Sequence, residues 1–370
     1  MQRLGLKLNK GMLNTQILDG IADMIRIVNS ENEIVYFNDA MEDLFMGQSD
    51  KLWCSFDGSK DPDSFCDMTI SQRCLATGQV IQREESIGEH YYSVKTNPIR
   101  GEDGEIIGAI EVFRNKSLEK KLQIELIEKN KSMTEEMNSA QNIQRALLPK
   151  RGYINRIMVD YFFIPADVLS GDIFDIYEFD KEHTAIYIAD TVGHGFSSSM
   201  TTMFISQTMR NMPKSIQRDP AKTLNELSRR FKDLMLGIEL YFTIFYAVYN
   251  RKTRELVYCN AGHNCPPLLK KNGKCIQPIE LSGYPISRLF KDVHYENYKM
   301  SLKKGTEILF YTDGVIECRN RKQEEFGLEK LKALFLEKGE DFLESLIEEI
   351  NLFVQGDYLD DMTCASVFIK

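Results

Sequence analysis

Hydrophobic and polar positions divide the chain into three stretches. In the first, short runs of β-branched and aromatic residues at 24–28, 34–37, 91–94 and 106–113 alternate with turn-forming residues. Asn29-Ser30-Glu31-Asn32 and Gly101-Glu102-Asp103-Gly104 predict hairpin connections, because Gly, Asn and Asp tolerate left-handed backbone. Asn38 or Asp39 predicts the cap of a short helix running to Phe45. The expectation is a small antiparallel sheet with helices on one face.

The second stretch, 116–149, has no Gly, reaches its first Pro only at Pro149, and is rich in Glu, Lys, Gln and Leu, which predicts one long helix. Leu126, Met133, Ala140 and Leu147 form an apolar column at seven-residue spacing. Its companion column of Gln123, Asn130, Met137 and Gln144 is mostly polar. A dimeric coiled coil and a solvated connector are both open on this pattern. The third stretch, 151–370, alternates strand-like runs (185–189, 242–249, 255–259, 307–311, 364–369) with helical periodicity at 198–210, 219–236 and 328–353. Connections such as Asn250-Arg251-Lys252-Thr253 predict mainly antiparallel pairing. The domain boundaries expected are 11–115, 116–150 and 151–370.

Composition narrows the class. At 370 residues, 43% hydrophobic and 27% charged, the chain suits two soluble domains and a connection. The net charge of −9 argues against a nucleic-acid partner. No apolar stretch approaches the ~18 residues that span a bilayer, and residues 1–14 lack the apolar core and cleavage site of a signal peptide. Eight scattered cysteines without a dense framework fit a reducing cytoplasm.

Candidate chemistry lies in aspartates far apart in sequence: Ser170-Gly171-Asp172, Asp190-Thr191-Val192-Gly193-His194-Gly195, Thr312-Asp313-Gly314 and Asp360-Asp361-Met362-Thr363. Asp190 and Asp313 end apolar strands and are followed by Gly, which lets the backbone turn and present them at a sheet edge. Strand alternation sends Asp172 and Asp175 to opposite faces, and makes Asp360 and Asp361 competitors for one place. A single such aspartate reads as a turn cap. Several brought together repel by roughly 3 kcal/mol per pair at about 5 Å and an effective dielectric of ~20, so they protonate, separate or bind cations. Oxygen ligands without a Cys/His set select Mg²⁺ or Mn²⁺.

The motif order is specific. Ser170-Gly171-Asp172-Ile173-Phe174-Asp175, Asp190-Thr191-Val192-Gly193-His194-Gly195, Asn260-Ala261-Gly262-His263-Asn264, Tyr311-Thr312-Asp313-Gly314-Val315-Ile316-Glu317, Glu325-Phe326-Gly327 and Asp360-Asp361-Met362-Thr363 resemble the stage II sporulation protein E class of PPM serine/threonine phosphatases. The lead-in from Gln141 to Pro149 is similar to the helix before that domain in stress-response phosphatases of the RsbU kind. The resemblance covers 139–370. It implies an α+β chain whose rear domain is an α/β/β/α sandwich with two Mn²⁺ or Mg²⁺ ions between antiparallel sheets.

By motif position, Asp172 contacts metal directly or through water, Asp190 bridges the ions, the Thr191 carbonyl is a backbone ligand, and Asp313 and Asp360 complete the other site. Ser170 stands where many members have Gly, and Thr191-Val192 replaces a more usual Val-Ser pair. Asp361, His194 and His263 are expected to support the site, the two histidines by organising loops, with contact to substrate as the alternative for His263. Ser197, Ser198 and Ser199 read as a helix start, since a metal-activated water needs no protein nucleophile.

Residues 13–114 resemble a PAS sensor domain, carried by Val35-Tyr36-Phe37-Asn38-Asp39-Ala40 and the order of elements. Its ligand is unknown from sequence. Cys54, Cys66 and Cys74 match no zinc spacing and are expected to be buried inert thiols, with a metal or redox role as the alternative. The whole reads as a cytoplasmic signalling phosphatase, homodimeric through the sensor and the helix. Its expected substrate is a phosphorylated STAS-type antagonist of an anti-sigma factor. The rivals are a non-catalytic scaffold and a two-metal phosphodiesterase acting on a small molecule.

Overall fold

The computed structural model describes residues 10–45, 69–87, 89–193, 195–271, 275–279, 282–290, 293–339, 341–356 and 358–370. The chain forms two compact units, Met1–Ser132 and Met133–Lys370. The division falls inside the long helix, not at either end of it.

The first unit contains α1 (Lys10–Asp19), β1 (Met24–Asn29), β2 (Ile34–Phe37), α2 (Asp39–Phe45), α3 (Ile70–Thr77), β3 (Ile81–Ile87), β4 (His90–Arg100) and β5 (Ile106–Asn115). The strands form one antiparallel sheet in the order β2-β1-β5-β4-β3. Asn38 anchors the β2–α2 corner. Its Oδ1 accepts the Ile25 and Met41 amides, and its Nδ2 donates to the carbonyls of Leu18, Ile21 and Asp23. Two small apolar clusters, Met24, Met41, Tyr92, Val94 and Phe113, and Val28, Cys74 and Ala109, form the core.

Two of these elements escape the hydrophobic pattern. β3 lies at the sheet edge with a mostly exposed Gln-Arg-Glu-Glu-Ser run, and α3 is set by its ends. Thr69 and Gln72 form a reciprocal capping box, and Gly78 closes the helix at φ +66°. Cys74 is buried, and burial pushes its thiol up, aided by Glu111 and opposed by Arg100. Cys54 and Cys66 lie outside the described residues.

The helix predicted at 116–149 is α4 (Ser117–Leu147). The second unit continues with β6 (Gly152–Ile154), β7 (Ile157–Ile164), β8 (Asp172–Glu178), β9 (His183–Thr191), α5 (Phe196–Arg210), α6 (Lys214–Gln217) and α7 (Pro220–Asp233). Next come β10 (Tyr241–Asn250), β11 (Glu255–Ala261), β12 (Leu268–Lys271), β13 (Cys275–Pro278), β14 (Ile286–Ser287) and β15 (Tyr298–Ser301). The chain closes with β16 (Glu307–Tyr311), α8 (Asp313–Glu317), α9 (Leu328–Glu337), α10 (Phe342–Val354) and β17 (Met362–Ile369).

Two antiparallel sheets result, β15-β11-β10-β9-β8 with β14 on β10, and β13-β12-β16-β17-β7-β6. Period-two alternation explains the layers. Ile186 and Ile188 of β9 meet Phe310 and Val367 between the sheets. Ala185, Tyr187 and Ala189 face Ile205, Leu224 and Phe231 of α5 and α7. On the other side, Leu309 and Tyr311 face Leu331, Phe335 and Leu346 of α9 and α10. The order of layers is helix, sheet, sheet, helix.

One prediction is corrected. The helical pattern at 328–353 is two helices, not one. Lys338 takes an extended conformation and Gly339 follows, so α9 stops and α10 restarts at Phe342 with its apolar face on the same core. Among the described residues no helix is long and apolar enough to cross a membrane.

Candidate metal centre

Asp172 and Asp190 face each other. They are direct partners in the antiparallel β8–β9 register, which sets two carboxylates side by side at the mouth of the hairpin. Asp172 is fully buried and Asp190 partly so. Burial first, then the charges of Asp190 and Asp361, push the Asp172 carboxyl well above its ordinary value, against hydrogen bonds from Thr312 and Thr363. Burial, followed by Asp313, Asp360 and Asp361, pushes Asp190 up to about 8. Both carboxyls are thus raised by burial and by neighbouring like charge, the signature of clustered anions lacking a protein countercharge.

Glycines allow this closeness. A Cβ on Gly171 would lie 2.8 Å from both the Gly193 carbonyl and Thr191 Oγ1, and one on Gly314 would lie 2.1 Å from the Asp361 carbonyl. The Gly171 carbonyl accepts both the amide and the hydroxyl of Thr191, at 3.0 and 2.9 Å. Ser170 Oγ accepts the Asp172 amide. The two strand ends are thereby laced together.

Asp190, Thr191, Asp313 and Asp360 line one pocket of ≈ 440 Å³ with Thr243, Asn264 and Tyr241. Asp313 opens α8 and receives Asn264 Nδ2 at 3.3 Å. Asp360 and Asp361 part company. Asp360 faces the pocket, whereas Asp361 accepts the amides of Ala166 (2.8 Å) and Gly171 (2.6 Å) and so fastens the loop that delivers Asp172. Asp175 lies away from the pocket in a two-pronged pair with Arg210, both contacts 2.8 Å. Burial still raises its carboxyl despite that partner, while Asp175 raises Arg210 in turn, and the geometry is that of an ion pair.

His263 is buried. Its Nδ1 is 3.4 Å from Thr243 Oγ1 and its Nε2 is 3.2 Å from the Tyr311 carbonyl, while Asn260 Oδ1 accepts its amide. Burial pulls the imidazole down to about 4 against the opposing influence of Tyr311 and Asp313. A ring whose Nε2 donates to the Tyr311 carbonyl braces the strand before Asp313. His194 lies outside the described residues. Ser198 and Ser199 start α5 with their hydroxyls donating to the carbonyls of Gly195 and Phe196, a helix-start role.

Three contributors were not singled out from sequence. The Thr312 hydroxyl donates to Asp172 Oδ2 at 2.7 Å and accepts the Thr363 amide, joining the two sheets beneath the carboxylates. Asn264 stood in a recognised motif without a role. Gln144, on the polar column of α4, is buried. Its amide brackets Ser170, Nε2 to the carbonyl at 2.6 Å and Oε1 from the amide at 3.1 Å, with Thr202 Oγ1 at 3.0 Å. Its burial was the missing signal.

The donor set is all oxygen and suits a hard divalent cation. Among the described residues no three His, Cys, Asp or Glu side chains close into a ready cage. Asp190, Asp313 and Asp360 line the shared pocket, and Asp172 stands beside it as the register partner of Asp190. The first unit has its own pocket of ≈ 450 Å³, lined in part by Val28, Ile34, Val94 and the ion pair of Arg26 with buried Glu111 at 2.5 Å.

Two packed antiparallel sheets with carboxylates at one edge define a phosphatase fold of the PP2C type. The SiaA-PP2C domain of Pseudomonas aeruginosa shares that fold at a TM-score of 0.57 and 20% identity, over 65% of this chain and 98% of that one. The family described as stage II sporulation protein E (SpoIIE) matches residues 180–368, and the chain belongs to it. The family described as PAS fold matches residues 18–117, the sheet of the first unit. Among curated proteins, the chain is 28% identical over 186 residues to phosphoserine phosphatase RsbP of Bacillus subtilis (strain 168), covering 49% of this chain and 45% of the relative. It is 28% identical over 215 residues to phosphoserine phosphatase RsbU of the same organism, covering 58% and 59%. The chain thus spans about half the length of the curated relatives it matches.

Proposed function

We propose that this chain is a metal-dependent protein serine/threonine phosphatase whose activity is set by its PAS-fold unit. The observation that carries the reading is the opposed Asp172–Asp190 pair above a pocket that Asp190, Asp313 and Asp360 also line. None of the described lining residues is Lys, Arg or His. Two Mn²⁺ or Mg²⁺ ions would be held by Asp172, Asp190, the Thr191 carbonyl, Asp313 and Asp360. When bound, such ions supply an activated water and neutralise charge during phosphoryl transfer. Thr312 fixes the rotamer of Asp172, Asn264 steers Asp313, and Asp361 holds the loop in place. The names of the relatives, phosphoserine phosphatases, support the substrate class.

The proposed substrate is a phosphorylated STAS-type protein in a partner-switching pathway that governs a sigma factor. The protein acts as a homodimer through the first unit and α4. Support for the dimer comes from α4, where Leu118, Leu122, Leu126, Ile127 and Met133 are all exposed in the single chain. Deleting one residue there would rotate everything beyond by about 100°, and a changed phosphatase rate is the expected result.

The test of the catalytic reading is hydrolysis of a phosphoserine protein by the full chain with Mn²⁺, with Mg²⁺ and after chelation. Turnover is expected only with metal. Turnover that survives chelation would refute it.

A further inference from the structure

The phosphatase pocket has a rim whose chemistry differs from its floor. Val192, Tyr241 and Leu359 line the pocket yet remain substantially exposed, Leu359 at 75%. The rim continues away from the carboxylates. The Val192 amide donates to the Tyr241 carbonyl at 3.1 Å, and Tyr241 pairs with Ser287 of β14. The residues before Tyr241 form a loop from which Met235 and Ile238 stand exposed at 71% and 57%. Leu289, just beyond β14, is exposed at 60%.

This loop is a built display. Leu236 and Leu240 pack into the core beneath α7. The Arg288 guanidinium donates to the Leu236 carbonyl, and Lys232 Nζ donates to the Phe290 carbonyl at 2.6 Å, tying the loop to the β14 segment. Met235 sits at φ +56°, a backbone region unfavourable for a side chain of its kind. A strained, anchored loop that turns two apolar side chains outward leaves burial against a partner as their available stabilisation.

The pocket recognises only what every phosphoserine substrate shares, a phosphoryl group that ions bound at the carboxylates would hold. Its described lining carries carboxylates and no cationic side chain. Lys232 and Arg288, on the segments that carry the rim, are engaged with backbone carbonyls. Discrimination among phosphoproteins must therefore come from surface outside the pocket, and binding energy from such remote contacts can be used at the reacting centre.

We propose that Met235, Ile238 and Leu289, continuous with Val192, Tyr241 and Leu359, form a docking surface for a folded phosphoprotein. That partner presents its phosphorylated Ser or Thr beside an apolar patch. The inference rests on the phosphatase reading of the same site. It predicts selection for a folded substrate over a short phosphopeptide, because the surface is assembled from segments far apart in sequence and suits a broad face. The acidic floor and Glu239 on the loop oppose an anionic lipid surface.

The experiment uses the full chain with Mn²⁺ and the variants Met235→Asp, Ile238→Asp and Leu289→Glu. Aspartate tolerates left-handed backbone better than Met, so the first variant should fold. Three probes are hydrolysed in parallel: p-nitrophenyl phosphate, a short phosphoserine peptide and a serine-phosphorylated STAS-domain protein. Each variant is expected to lose roughly tenfold or more in kcat/KM on the phosphoprotein, as a central apolar contact does in an interface. The two small probes should stay within about twofold, which also reports an intact fold.

Equal loss on all three probes overturns the proposal, as does no loss on any. So does a wild type that prefers the protein no more than the peptide. Binding of wild type but not the variants to phosphatidylglycerol vesicles would reassign the patch to a membrane. A variant-dependent change in oligomeric state would reassign it to contact between copies. Failure of wild type to hydrolyse even p-nitrophenyl phosphate with metal would instead strike the catalytic reading.

Discussion

The two ends of the β8–β9 hairpin carry aspartates in opposite electrostatic settings. At the mouth, Asp172 and Asp190 face each other beside further carboxylates, and both carboxyls are raised. At the turn, Asp180 is only partly buried. Its desolvation is outweighed by Arg218, the amides of Glu182 and His183, and the His183 ring, which hold it well below the usual carboxylate range. Between them Asp175, as deeply buried as Asp172, has Arg210 on α5. The same residue type on one hairpin is structural where the fold supplies a cation and becomes a metal candidate where it does not. Burial alone does not distinguish them; the presence of a protein countercharge does.

The largest effect is expected at the mouth. Asp190→Asn should cut Mn²⁺-dependent phosphatase activity by at least about a thousandfold and abolish the heat of Mn²⁺ binding in calorimetry. Circular dichroism should be unchanged, since removing one of several like charges does not threaten the fold. Activity retained by this variant would show that the clustered carboxylates are not the metal centre.

In the middle the expected effect is on stability. Asp175→Ala removes the partner of Arg210, whose side chain is 42% exposed. Breaking a buried pair costs about 3–5 kcal/mol, and solvent reaching Arg210 reduces that to about 2 kcal/mol here. Urea unfolding measures it, and Mn²⁺ binding should survive. Loss of metal binding at unchanged stability would place Asp175 in the wrong group.

Asp361→Asn probes a carboxylate next to the pocket that serves the backbone. An amide cannot accept both the Ala166 and Gly171 N–H groups, so about 1–3 kcal/mol is at stake. Metal affinity should fall less than in the corresponding Asp360→Asn protein. The reverse order, by calorimetry, would exchange the roles of the two neighbours.

The smallest effect belongs to the turn. Because the folded Asp180 ionises below its unfolded value, its contribution is complete above about pH 4 and is lost as pH falls through the folded value. Wild type should therefore lose stability in acid more steeply than Asp180→Asn. Parallel pH profiles in thermal unfolding would remove the contrast between the two ends.

Much of this was legible along the chain. Runs of β-branched and aromatic residues located β1, β2, β9, β10, β16 and β17, the Gly-free run located α4, and the glycines explained why Asp190 and Asp313 sit at or just past strand ends. Period two also separated Asp172 from Asp175. These features are local: side-chain direction in a strand and tolerance of a tight turn are settled by a residue and its near neighbours.

What the chain left open depends on partners distant in sequence. The break at Gly339 required a core on which both α9 and α10 could rest. β3 carried no apolar signal because it is an edge strand. The choice between Asp360 and Asp361 depended on which one met the Ala166 and Gly171 amides, and Asp175 owed its role to an arginine 35 residues on. Thr312 and Gln144 became visible only when the second sheet and α4 closed over Asp172. Local pattern determined which aspartates could reach a sheet edge. The tertiary structure decided which of them found a cation or an amide and which were left facing like charge, because that depends on three-dimensional neighbours and burial.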